Sequence, residues 1–106
     1  MLMTSSSACG KTIVKIGANR LDAAVAPEFK DGMVALIDAG STRFVLDFSK
    51  VDFIDSSGLG ALVGIYKLVN GRGSLELACL GPAVEKVFAL TRMNRVFEIH
   101  DAVPAA

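Results

Sequence analysis

The segment Asp55-Ser56-Ser57-Gly58 has the residue types and spacing best suited to chemistry in this chain. Two hydroxyls lie between a carboxylate and a glycine, directly ahead of an apolar pattern with a helical period. Leu59, Leu62, Val63, Tyr66 and Val69 recur at i, i+3, i+4, i+7 and i+10, which places them on one face of a helix facing a core. A serine just before such a helix caps orphan backbone N–H groups, worth ~1 kcal/mol. That is the role expected of Ser57. Ser56 is then left as a nucleophile or as the acceptor of a modifying group. Gly58 and Gly60 allow a tight turn and the close approach of a second surface. The Gly-x-Ser-x-Gly elbow of many serine hydrolases is absent around Ser56. The one histidine, His100, lies far along the chain and reads as a surface residue. A Ser-His-Asp hydrolase therefore ranks last among the readings.

Other candidate chemistry is thinner. Ser5-Ser6-Ser7-Ala8-Cys9-Gly10-Lys11-Thr12 approaches a phosphate-binding loop, but serine replaces its first glycine. Only four residues precede it, and a β-branched run follows where a helix should begin. Cys9 and Cys79 form no Cys-x-x-Cys pair and no Cys/His cluster, so no zinc site is expected, and both read as reduced thiols. No cofactor is implied. Eleven basic and eleven acidic residues give a net charge of zero with no basic run, which argues against nucleic acid. No apolar stretch reaches the ~18 residues of a membrane span, and residues 1–10 lack a signal-peptide pattern. The expected setting is cytoplasmic. At 106 residues and 52% hydrophobic, the chain has the size and apolar content of one domain, 1–106, with its core over 12–99.

Elements must now position the serines. Thr12-Ile13-Val14-Lys15-Ile16 predicts a strand, which residues Leu2 to Ser6 could pair with across a turn at Ala8-Cys9-Gly10. Asp22 precedes a helix whose inner face is Phe29, Met33, Leu36 and Ile37, with Pro27 in its first turn and Gly40 after its end. Phe44 to Phe48 suits a central strand. After the serine helix, Asn70-Gly71-Arg72-Gly73 is a break. Leu75 to Leu80 is a strand. Gly81-Pro82 opens a third helix with Val84, Val87, Phe88 and Thr91 inward. Val96 to Ile99 is a short edge strand, and Asp101 to Ala106 is expected to fray. Alternation of strands and helices predicts an α/β fold, a small mixed but mostly parallel sheet with right-handed crossovers. Loops leaving the C-terminal strand ends gather on one edge, so Asp22 and the serine turn should be neighbours.

Val45-Leu46-Asp47-Phe48-Ser49, followed by Val51-x-Phe53-Ile54-Asp55-Ser56-Ser57-Gly58-Leu59-Gly60, resembles the core signature of STAS domains. It is most similar to the stand-alone bacterial anti-sigma factor antagonists. Arg20-Leu21-Asp22-Ala23-Ala24-x-Ala26-Pro27-Glu28-Phe29 resembles the family's Gly-x-Leu-Asp segment and first helix. Gly81-Pro82-Ala83-Val84-x-x-Val87-Phe88 resembles its third helix. The resemblance covers roughly Thr12 to Ile99. It implies helices packed on one face of the sheet, and a protein that switches partners rather than an enzyme. The unphosphorylated antagonist binds a serine kinase that is also an anti-sigma factor, and a serine phosphatase reverses the modification. The residue matching the family's phosphoacceptor is Ser56. The implied partner surface is Asp22, Asp55, Ser57, Gly58 and Leu59. The chain is expected to be a monomer or weak dimer, off the membrane. The alternative is a STAS subunit of a larger assembly, such as a lipid-transport complex, with no serine phosphorylated. Asn19 stands where the family has glycine, and asparagine tolerates a left-handed backbone there.

Overall fold

The structure is a computed structural model and describes residues 2–104. Strands β1 (Met3–Ala8) and β2 (Lys11–Ile16) form an antiparallel hairpin. Ala8 pairs with Lys11, which leaves Cys9 and Gly10 as a two-residue loop. Their φ angles are 54° and 76°, the positive pair that a type I′ hairpin turn requires. The residues resembling a phosphate-binding loop are therefore spent on a hairpin.

From β2 the chain passes through β3 (Arg20–Leu21) into helix α1 (Ala26–Asp38), then β4 (Arg43–Asp47), β5 (Phe53–Ile54) and helix α2 (Ser56–Val69). Strand β6 (Ser74–Ala78), helix α3 (Pro82–Leu90), a 3-10 turn at Met93–Arg95 and β7 (Glu98–His100) complete it. The main sheet has the order β1-β2-β4-β6-β7. Its first pair is antiparallel and the other three are parallel. Strands β3 and β5 form a separate two-stranded parallel ribbon. The mostly parallel α/β sheet expected from the alternation is thus present.

Side chains alternate between the two sheet faces with a period of two. Val14, Ile16, Phe44, Leu46, Leu75 and Leu77 join Phe29 and Met33 of α1, Leu62, Ile65 and Val69 of α2, and Val84 and Phe88 of α3 in one buried cluster. The helices therefore cover one face. Edge-to-face ring contacts link Phe88 to Phe48 and to Phe97, with centroids 6.4 and 6.1 Å apart. Such pairs add about 0.5–1.5 kcal/mol each beyond their buried area. The other face holds a smaller cluster of Ala8, Ile13, Val45 and Ala78, with Val103 and Cys79 packed against it.

Four expectations need correction. Thr91 does not face inward. It is the exposed C-cap of α3, where its hydroxyl donates to the Val87 carbonyl at 2.7 Å. The tail is not frayed throughout, because Val103 and Pro104 are half-buried and Val103 lies on the outer apolar cluster; residues 105 and 106 fall outside the described residues. Asn19 is not left-handed. Among non-glycine residues, positive φ occurs at Cys9, Cys79 and Arg92. The Asn19 carbonyl instead accepts from Asp52 N–H at 2.8 Å, which ties the entry of β3 to that of β5. The last strand is Glu98–His100, shifted from Val96–Ile99, because Val96 ends the 3-10 turn and Phe97 is drawn into the core.

Candidate functional site

The serine turn follows β5 and opens α2, and Asp22 follows β3, the partner strand of β5. The ribbon therefore brings both loops to one edge. Asp55 fastens them. Its Oδ1 accepts from Gly58 N–H at 3.0 Å, and its Oδ2 accepts from Ala23 N–H at 3.3 Å. Its own N–H donates to the Leu21 carbonyl at 3.3 Å.

Asp55, not Ser57, is consequently the N-cap of α2. The expectation for Ser57 fails because an aspartate in extended backbone already occupies the capping position (φ −114°). Ser56 and Ser57 are the first two helical residues, and both are exposed. Neither hydroxyl has a hydrogen-bond partner among the described residues. Nor do their two N–H groups: at this end of α2 the N–H groups of Asp55, Gly58 and Leu59 are satisfied by the Leu21 carbonyl, the Asp55 carboxylate and the Asp55 carbonyl, and those of Ser56 and Ser57 are left over. Two unmatched donors at a helix N-terminus favour an anion beside them.

Gly58 is buried, and a Cβ there would collide with the Leu21 carbonyl oxygen and come within 2.9 Å of Ile54 Cγ1. Its lack of a side chain lets α2 approach the ribbon closely. Gly60 has open space around it, so no close approach requires a glycine there. Leu59 is half-buried and packs on the main core.

Asp22 is held by its surroundings rather than poised for chemistry. Its Oδ1 accepts from Ala24 N–H at 3.1 Å, and its Oδ2 accepts from Arg20 Nε at 3.2 Å. Its carbonyl accepts from Val25 and Ala26 at the start of α1. Arg20 also lies 4.1 Å above the ring of Phe53, which is 38% exposed. Ser57 lines a shallow groove of about 270 Å³ with Ala23, Ala26, Pro27, Lys30, Gly60 and Ala61. The edge thus sets two carboxylates, two cations and an exposed ring around the serines. Among the described residues no base lies in contact with either hydroxyl, and Ser56 and Ser57 are both exposed. Arg20 and Phe53 stand in the sequence strings that carry the resemblance but not among its site residues. Only the pairing of β3 with β5 shows them to be neighbours.

A polar cluster on the outer sheet face has no local signature in the sequence. His100 is not an isolated surface residue. Its Nε2 is 2.7 Å from Glu76 Oε1, and Lys11 Nζ is 3.0 Å from both Glu76 oxygens. Burial raises the Glu76 carboxyl pKa, but the hydrogen bonds and charges of Lys11 and His100 outweigh it and hold the pKa below the ordinary carboxylate range. At the end of β6, burial and the neighbouring Asp47 push the Cys79 thiol up, opposed by a hydrogen bond from the Val103 backbone. Among the described residues, no helix is long and apolar enough to cross a membrane.

A mostly parallel sheet with helices on one face, joined to an exposed Asp-Ser-Ser-Gly helix start, defines a small α/β domain. The family model for the STAS domain matches residues 5–106, and the chain belongs to the STAS domain family. It is 34% identical over 60 residues to the anti-sigma F factor antagonist of Paenibacillus polymyxa, covering 56% of this chain and 51% of that protein, so the match spans about half the length of that relative. It is 30% identical over 83 residues to the anti-sigma-B factor antagonist of Bacillus subtilis, covering 77% of this chain and 75% of that protein. The fold is shared with the Bacillus cell fate determinant SpoIIAA. The unphosphorylated form of that antagonist gives a TM-score of 0.70 at 19% identity, covering 95% of this chain and 89% of that one. Its phosphorylated form gives 0.67 at 18% identity, covering 92% and 89%.

Proposed function

We propose that this chain is an anti-sigma factor antagonist switched by phosphorylation of Ser56. On this reading the unphosphorylated form binds an anti-sigma factor that is also a serine kinase, and so releases that factor's target. A serine phosphatase restores the active form. The protein acts in the cytoplasm as a protein ligand and kinase substrate, not as a catalyst. The observation that carries the reading is the state of Ser56. It is exposed, free of side-chain hydrogen bonds, and seated on the first turn of α2 beside two unmatched N–H groups. Relatives named as antagonists of anti-sigma factors support the class, and a phosphorylated structure of the same fold supports the switch.

Phosphoryl transfer would join the Ser56 oxygen to the γ-phosphorus of ATP as the bond to ADP breaks, with the hydroxyl proton passing to a base of the kinase. The product carries about −1.5 to −2 charges beside Asp55. The helix N-terminus favours that anion while Asp55 and Asp22 oppose it. Asp55 stays locked by Gly58 and Ala23, so the fold survives and the change falls on the partner surface. That surface comprises Asp22, Asp55, Ser57 and Leu59 with Ser56 at its centre, and buried Gly58, expected there from the sequence, supports it from beneath by holding the turn.

Incubation with the cognate kinase and ATP tests this by intact mass and peptide mapping. One phosphate is expected on the wild type, at Ser56, and none on Ser56→Ala. Ser56→Asp should keep the far-ultraviolet spectrum and lose kinase binding. Phosphate on Ser57 alone, or unfolding of Ser56→Asp, would sink the proposal.

A further inference from the structure

The outer face of the sheet carries a constellation that the proposed function does not use. Glu98 and His100 lie two residues apart on β7, so both side chains leave the same face of that strand. The parallel register sets Glu98 beside Glu76 of β6. One donor atom from each of Glu76, Glu98 and His100 lies within 4.8 Å of the other two. His100 Nε2 is 2.7 Å from Glu76 Oε1 and 3.9 Å from Glu98 Oε2. Donors bound tetrahedrally at about 2.0–2.2 Å from an ion stand roughly 3.3–3.6 Å apart. The two observed separations bracket that range, so small side-chain rotations complete the geometry.

We propose that Glu76, Glu98 and His100 form a site for a divalent first-row transition ion, with Zn²⁺ as its type, that ties edge strand β7 to β6. The donor set selects the ion. One imidazole with two carboxylates suits zinc and its neighbours, whereas Mg²⁺ and Ca²⁺ take oxygen ligands alone. Three protein ligands leave the fourth position of a tetrahedral ion to water. Glu76 is only 6% exposed, so much of its desolvation has already occurred on folding. Lys11 bridges both of its oxygens and fixes its orientation. Lys11 also limits affinity, because its charge repels the incoming ion. On binding, the ion takes the place of the hydrogen that links Nε2 to Oε1, and the neutral ligand imidazole carries its one proton on Nδ1.

The test uses the full chain with Cys9→Ser and Cys79→Ser, so that no thiol competes for metal. Zn²⁺ is titrated by calorimetry while the imidazole of His100, the chain's one histidine, is followed by NMR. The expected result is one ion per chain with the His100 resonances shifted at saturation. Affinity should fall at least tenfold in His100→Gln and in Glu98→Gln. A glutamine at position 100 can still donate to Glu76, so that variant separates the metal ligand from the hydrogen bond. Lys11→Gln should bind Zn²⁺ several-fold more tightly. Zn²⁺ should also raise the unfolding temperature of the cysteine-free chain and leave that of His100→Gln unmoved. Equal affinity of the cysteine-free chain and His100→Gln, binding without movement of the His100 resonances, or no saturable binding would each overturn the site.

Discussion

Replacing Asp55 with alanine removes two hydrogen bonds at once. The bond from Gly58 N–H caps α2, and the bond from Ala23 N–H joins α2 to the loop that starts α1. Loss of the cap costs ~1 kcal/mol. The second bond is longer and exposed, so about 0.5–1 kcal/mol is a fair share for it. Together they destabilise the fold by about 2 kcal/mol, equivalent to a fall in Tm on the order of 8–12 °C for a domain of this size. Asp55→Asn keeps the capping oxygen. Its amide nitrogen cannot accept from Ala23, so it should lose only about 0.5–1 kcal/mol. Ser57→Ala removes a hydroxyl with no partner and should stay within about 0.5 kcal/mol of wild type. Urea unfolding followed by circular dichroism ranks the three. If Ser57→Ala cost as much as Asp55→Ala, the assignment of the cap to Asp55 would be wrong. If Asp55→Asn matched Asp55→Ala, the tie to Ala23 would be carrying the effect instead of the cap.

Gly58→Ala should destabilise by about 1–3 kcal/mol, because the added methyl meets the Leu21 carbonyl and Ile54; Gly60→Ala, with open space around it, should be neutral or slightly stabilising, and thermal melts of the pair read the contrast. Wild type should exceed Glu76→Gln by about 2 kcal/mol at neutral pH with a chelator present. The folded Glu76 pKa is depressed, so this advantage is present above the unfolded value and lost as pH falls through the folded one. Paired urea titrations from neutral to acid pH check the sign, and an advantage that grows on acidification would contradict it. Val103→Ser should destabilise through the outer apolar cluster and, by uncovering Cys79 without adding a carboxylate, speed its alkylation, measured by mass spectrometry.

The order of strands and helices was legible because each element has its own period. The runs at Ile13 to Ile16, Phe44 to Phe48 and Leu75 to Leu80 alternate with helical patterns, and the parallel sheet follows. Ile65 was missed on the inner face of α2, although it is fully buried. Its spacing from Leu62 and Val69, three and four residues, fits the same stripe. Ser56 stood out through residue type and resemblance. The cap did not, since Asp and Ser are about equal as N-caps and only backbone geometry chooses between Asp55 and its neighbours. The contacts of Arg20 with Phe53, and of Lys11, Glu76 and His100, depend on strand register between distant segments. No local pattern specifies that pairing. The fold of the tail over Ala8, Ile13, Val45 and Ala78 was hidden for a different reason. Expecting helices on one face left the apolar residues of the other unassigned, and Val45 is a case in point.

The strand order β1-β2-β4-β6-β7 rises along the chain without a reversal. Each new strand of the main sheet is therefore laid on the same growing edge, and none must insert between two strands already paired. A chain emerging from the ribosome can close the β1–β2 hairpin first, then add β4 and β6 as each crossover is completed. The serine edge becomes whole only when β5 joins β3 and α2 follows, about midway through that sequence. Half-made chains thus keep one unpaired, apolar growing edge, which β7 finally closes with a strand of three residues.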